Sequence, residues 1–150
     1  MYRKGVSALI INPKNEFLLV NLISFEDKYF AIPGGGVEED ESLEDAVYRE
    51  IKEELGIDSS SLELIGMSDE SLKTTFKTPK ISKQGITYIG SERFFFAFKF
   101  MGSDNEIKLA EDEVRMYKWV PFEHLNQFLL FDNQFEDTMD KIKEILTNFS

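Results

Sequence analysis

Apolar and polar positions along the chain follow two different periods. Gly5 to Asn12 (GVSALIIN) is an apolar, β-branched run that ends in the turn sequence Asn12-Pro13-Lys14-Asn15. Glu16 to Ile23 (EFLLVNLI) follows, so the pair is predicted to form a hairpin. Tyr29 to Ile32 reads as a short strand stopped by Pro33, with the glycines at 34–36 as a tight turn. From Ser42 to Leu55 the period becomes helical, because Leu43, Val47, Ile51 and Leu55 recur every four residues. Ser42 with Asp45 resembles a capping box, and Gly56 suits the helix end.

Leu62 to Met67 and Ile86 to Phe100 read as further strands. In the second, Phe94, Phe96 and Phe98 share one face, while Phe95 shares the other with Ala97; most of these rings belong in a core. Between them, Ser71 to Gln84 is polar, has no clear period and is expected to be a loop. Met116 to Val120 is a last strand, Pro121 opens a short helix through Leu130, and Asp137 to Phe149 is an amphipathic helix. The irregular alternation predicts an α/β fold, a mixed sheet with helices on both faces. With no repeat or linker, residues 1–150 are expected to form a single domain.

Composition narrows the function. Hydrophobic residues at 42% exclude a disordered chain, and the absence of cysteine excludes disulfides and thiolate metal sites. No apolar run is long enough for a bilayer and nothing at the N-terminus resembles a signal peptide, so a cytoplasmic location is expected. The formal net charge of −11 disfavours broad binding along a nucleic-acid backbone. Most of the carboxylates read as solvated surface.

Position singles out a few of them. Glu50, Glu53 and Glu54 fall within an arc of about 100° on the predicted helix, abutting its apolar stripe. Carboxylates at the edge of a buried face repel one another and lose solvation, costs that a hard divalent cation relieves. Ahead of the helix, Pro33-Gly34-Gly35-Gly36 lets backbone approach a ligand closely. Together these residues make a spaced pattern: Gly, five residues, Glu, seven residues, Arg-Glu, an aliphatic, one residue, Glu-Glu, one residue, Gly, an aliphatic. Gly35, Glu41, Arg49, Glu50, Ile51, Glu53, Glu54, Gly56 and Ile57 meet every position.

That pattern resembles the signature of the Nudix hydrolases. The resemblance implies an α/β/α sandwich with a loop–helix–loop active-site motif and a Mg2+- or Mn2+-dependent cleavage of a pyrophosphate linkage in a nucleoside-diphosphate-linked substrate. Glu50, Glu53 and Glu54 then hold the metal, helped by a carbonyl of Gly34 or Gly35, and Glu53 is the expected general base. Glu41 and Arg49 form an orienting ion pair. His124, the only histidine, is expected to pack or lie on the surface.

Tyr2-Arg3, the run GVSALIIN and Ile89-Gly90 before the aromatic strand resemble diadenosine polyphosphate hydrolases and RNA 5′-pyrophosphohydrolases. In that subgroup a glutamate six residues before a tryptophan is a further metal ligand, which implies Glu113 ahead of Trp119. Arg3, Phe131 and Phe135 are the implied substrate contacts, the two rings as base-stacking groups. The chain departs from the subgroup at Gly34, at Ser91 to Phe94 and at Asp132, which stands where a phosphate-gripping lysine is usual. Nucleoside triphosphates or dinucleoside polyphosphates are therefore the favoured small-molecule partners. An RNA 5′-end ranks below them because of the acidic balance. The lysines at 73, 77, 80 and 83 read as solvated, with phosphate contact as their other use. A nucleotide-sensing module without catalysis is the alternative, and it would be marked by lost box glutamates.

Overall fold

The computed structural model describes residues 1–146. Its strands are β1 (Tyr2–Ile11), β2 (Glu16–Leu22), β3 (Gly34–Gly36), β4 (Leu62–Met67), β5 (Leu72–Ile81), β6 (Thr87–Phe100) and β7 (Val114–Pro121). The α-helices are α1 (Leu43–Leu55) and α2 (Gln134–Ile145). One seven-stranded sheet runs β4-β6-β1-β2-β7, with β3 also paired to β1 and β5 to β6. β1 and β6 are parallel, and the other pairings are antiparallel. The sheet is therefore mixed, as the alternation of elements implies.

Period-two alternation sends side chains to both sides of this sheet. On one side Val6, Ala8, Ile10, Phe96 and Phe98 pack against Val47, Ile51 and Leu55 of α1. On the other, Leu9, Ile11, Phe17, Phe95 and Ala97 pack against Leu125, Leu129 and Ile142. Because both faces are covered, β1 reads as an almost continuous apolar run. α1 starts where its cap says it should: Ser42 Oγ accepts the Asp45 N–H at 3.1 Å. It ends at Gly56, whose φ of 70° is left-handed.

Several elements differ from expectation. Only Ala31 of the proposed strand 29–32 bridges to β2, through paired bonds with Val20. The glycines at 34–36 are a strand, with Gly34, Gly35 and Gly36 opposite Ser7, Val6 and Gly5. Residues 71–84 hold a strand, β5, bonded to β6 from Leu72 to Ile81 with an irregularity between Thr75 and Lys80. It carries no apolar alternation because it is exposed along most of its length. Its threonines and Phe76 supply the β preference instead. After Pro121 the chain makes a 3-10 turn over Phe122–Gln127 rather than an α-helix to Leu130. α2 begins three residues before the expected Asp137, and the last residues of that expected helix, 147–149, lie outside the described residues. No helix among the described residues is long and apolar enough to cross a membrane.

β3 fills a gap. β1 and β2 pair beside their turn, at Ile11 and Phe17, and then part. Residues 31–37 lie between them, bonding Val20 on one side and Ala8 and Lys4 on the other. A Cβ on Gly34 would stand 2.0 Å from the Val6 carbonyl oxygen, so no larger residue fits without moving backbone. Gly34→Ala is expected to cost at least the ~1–3 kcal/mol typical of overpacking. A urea midpoint equal to that of the parent would refute this account of the strand.

Candidate active site

The glycine strand separates two sets of charges. Gly34 and Gly36 turn their bare faces to Arg93 and Arg3: Cβ atoms there would lie 2.9 Å from Arg93 Nη2 and 2.8 Å from Arg3 Nη2. Gly35 turns the opposite way, and a Cβ on it would fall 2.3 Å from a Glu50 carboxylate oxygen. Close approach from both faces is the reason for three glycines in a row.

On the α1 side Arg49 is the hub. It grips Glu41 in a two-pronged pair, Nε to Oε2 at 2.7 Å and Nη2 to Oε1 at 2.9 Å. It also donates to Glu50 Oε1 at 2.9 Å, Glu53 Oε2 at 3.2 Å and the Gly36 carbonyl at 2.8 Å. Arg49 thus ties the segment ahead of the helix to the helix itself. Its hydrogen bonds hold the Glu41 carboxyl down at about 2, and those same partners raise the affinity of Arg49 for its proton.

Glu54 is 6% exposed and accepts the Gly34 N–H at 3.0 Å. Burial, with the charges of Glu50 and Glu113 behind it, lifts its carboxyl to about 7 against the lowering effect of that N–H. Burial likewise raises Glu50, opposed by Arg49. Glu53 is the outermost of the three, its side chain 55% exposed. Glu113 is exposed on the loop before β7. That loop docks on the end of α1 through Ala110 N–H to Glu54 O at 3.0 Å and Lys108 N–H to Leu55 O at 2.7 Å. The docking brings the charge of Glu113 to bear on both Glu50 and Glu54.

Among the described residues no three acidic or histidine side chains converge on one point. Arg49 draws Glu50 and Glu53 toward itself, and the carboxylates repel one another. The donor set still fits a hard divalent cation. It consists of carboxylates and glycine carbonyls, all oxygen. Glu50 and Glu54 are raised chiefly by burial, with neighbouring carboxylates adding to it, so that a bound cation would relieve both costs.

A cleft of about 400 Å³ opens beside this cluster. Ser7, Gly34, Gly35, Glu54, Leu72 and Arg93 line it, together with Phe25, Asp132 and Asp137. At the rim, next to the lining residue Asp132 but not itself part of the lining, Phe131 is 40% exposed and stacks on Tyr29 with ring centroids 4.4 Å apart. Phe135 does not line the cleft. It is half-buried and packs against the core on the α2 side. His124 is exposed on the 3-10 turn, outside the cleft lining. Phe94 to Phe100 supply core rings to both sides of the sheet. Sequence reasoning passed over Arg93 as a departure from a pattern; its one available signal was a charge at a position with the same parity as core residues Phe95 and Ala97.

The raised carboxyl of Glu54 sets a pH dependence. A group whose folded pKa lies above its unfolded value destabilises the fold once pH exceeds the unfolded value, here 4.5, and the penalty is complete above about 7. In chelator, Glu54→Gln should therefore melt higher than the parent at pH 8, by a margin on the order of 2–3 kcal/mol. The margin should vanish near pH 4.5. Calorimetry showing the same difference at both pH values would contradict this.

The comparisons with known proteins agree with this geometry. The NUDIX domain model matches residues 1–141. The RNA pyrophosphohydrolase of Pelagibacter ubique is 32% identical over 153 residues, covering 96% of this chain and 93% of that protein. An Ap4A hydrolase from C. elegans, solved as a binary complex, superposes with a TM-score of 0.70 over 96% of this chain and 98% of its own. The dihydroneopterin triphosphate pyrophosphohydrolase of E. coli gives 0.71 over 98% and 99%. These two structures are 20% and 18% identical and speak for the fold alone. By its box, its sheet and the match to the family model, the chain belongs to the Nudix hydrolase family.

Proposed function

We propose that this chain is a divalent-metal-dependent pyrophosphohydrolase, and that its substrate is the 5′-triphosphate end of an RNA. The observation that carries the choice of substrate is the charge on β5 and its turn. From Ser71 to Gly90 the chain has four lysines and no carboxylate, within a molecule of net charge −11. Leu72 and Thr74 of the same strand line the cleft. Phe76 follows two positions on, with the Lys80 ammonium 4.6 Å from its ring centroid. An aromatic face beside lysines, in line with a cleft that leads to carboxylates, suits a single strand whose 5′-phosphates enter first. The 32% identical RNA pyrophosphohydrolase supports the same reading. Net charge ranks RNA low, whereas the local charge of β5 and its turn favours it.

Glu50, Glu54 and Glu113 would hold magnesium or manganese together with a glycine carbonyl, Glu53 completing the set from the open edge. Such an ion neutralises the charge that builds on phosphate oxygens and acidifies a bound water. The protein residues do the rest. Gly34 N–H fixes the Glu54 carboxylate and Arg49 fixes that of Glu50, so neither must be ordered when substrate arrives. Arg49 holds only Oε2 of Glu53. Its Oε1 is the atom that takes the proton of the attacking water. Phe131 and Tyr29 present a stacked aromatic rim to the base.

Activity should disappear in chelator and return with magnesium or manganese, read as pyrophosphate or phosphate release from a short 5′-triphosphorylated RNA. Full turnover in excess chelator would end the metal-dependent reading. Lys77→Glu combined with Lys80→Glu should raise the KM for that RNA by tenfold or more, while KM for a free nucleoside triphosphate changes less than twofold. Equal effects on both, or none, would return the assignment to free nucleotides.

A further inference from the structure

One cation on the cleft wall has no part in the scheme above. The guanidinium of Arg93 has five N–H donors. Nε donates to Ser7 Oγ at 2.9 Å and Nη2 to the Val6 carbonyl at 2.9 Å. Nη1 has no hydrogen-bond partner among the described residues. Among the described residues no side-chain nitrogen is both shut off from solvent and without a partner. Nη1 therefore keeps contact with solvent, and Arg93 is among the residues that line the cleft. Its slot is cut by glycines: a Cβ on Gly5 would lie 3.2 Å from Nη1, and one on Gly34 2.9 Å from Nη2. Two anchored nitrogens and a missing pair of side chains fix the orientation of the third nitrogen.

The rest of the wall makes this cation matter. Arg93 is the one cationic side chain among the described residues that line the cleft, against Glu54, Asp132 and Asp137. Asp132 and Asp137 repel a polyphosphate. Arg93 lies toward Glu54 and Glu50, whose charges it feels. A polyanion in this cleft is thus steered away from the two aspartates and toward Arg93, near Glu54 and Glu50.

We propose that Arg93 Nη1 is an anion subsite that receives a non-bridging phosphate oxygen of the substrate as its polyphosphate crosses β3 toward the carboxylates. The phosphate grip that a lysine at position 132 would supply has moved to the floor of the cleft. The inference rests on the polyphosphate reading of the cleft and names the residue that holds the phosphate.

Imidodiphosphate, which resists hydrolysis, serves as the probe, with calcium present and titration calorimetry as the readout. The parent should bind it, Arg93→Gln should bind it at least tenfold more weakly, and Arg93→Lys should fall between. Calcium binding alone should be unchanged or tighter in Arg93→Gln, because a cation beside the carboxylates is gone. Equal imidodiphosphate affinity in parent and Arg93→Gln would overturn the subsite while leaving the hydrolase reading intact. Should Arg93→Gln fail to fold, the Arg93 Nε–H resonance of the parent, assigned with Arg93→Lys, decides the matter. It should shift on adding the probe, and a resonance that stays still while the probe binds would equally overturn the subsite. If the parent binds no imidodiphosphate with calcium or with magnesium, the polyphosphate reading falls and the subsite falls with it.

Discussion

Everything in this site depends on a strand with no side chains lying between two strands that part. β1 and β2 share a turn, but their paths separate beyond Ile11 and Phe17, and each would be left with unpaired peptide groups. Buried peptide groups must be bonded. Residues 31–37 supply the partners, through Ala31 to Val20 and through Pro33 and Val37 to Ala8 and Lys4. Any strand inserted there meets the guanidinium groups of Arg3 and Arg93 on one face and the carboxylate of Glu50 on the other. Only glycine leaves room for both. The wedge that closes the sheet is therefore also the place where the two sets of charges come closest, with a peptide's thickness between them.

Much of this was legible in the sequence where one local rule settles a residue. The helix over 43–55 is marked by its period, by Ser42 before it and by Gly56 after it, and each of these is local chemistry. The alternation in 94–98 assigns faces correctly because both faces are buried and the strand is long. Local rules fail where a residue answers to a distant partner. Three glycines read as a tight turn, and the sheet uses them as a strand instead. β5 has no apolar face to advertise it, because its partner β6 supplies the hydrogen bonds and solvent covers much of the rest. Phe135 and Phe131 stand four apart in a similar polar setting, yet one turns inward to the core and the other stacks on Tyr29 at the rim. Nothing local separates them.

Net charge is a coarse guide for a similar reason. A total of −11 says how the molecule behaves at a distance. At close range the field is screened within about 8 Å in physiological salt, so a docking strand responds to the charges beside it. The lysines of β5 and its turn are such neighbours, although Lys73 also lies 3.8 Å from Glu92 on the paired strand. An acidic protein can therefore hold a basic path to an acidic centre, provided the two are separated by more than the screening length or by a cation of their own. Arg49 and Arg93 are cations of that kind.

The two arginines do different work, and their burial shows why both are needed. Arg49 saturates itself on carboxylates and a carbonyl, which orders the segment ahead of α1 but leaves little of it for a ligand. Arg93 spends its donors on a hydroxyl and a carbonyl, neither of which neutralises it. Its charge balances Glu54 and Glu50 only through space. A carboxylate as deeply buried as Glu54 raises its own pKa and destabilises the fold, and Gly34 N–H with the field of Arg93 offsets part of that cost. If a direct ion pair closed between Arg93 and Glu54, the cost would shrink further, but Glu54 would lose its freedom to bind a cation and Arg93 its freedom to bind an anion. Gly34, standing between them with no side chain and with its N–H on Glu54, holds the two charges near each other without letting them meet.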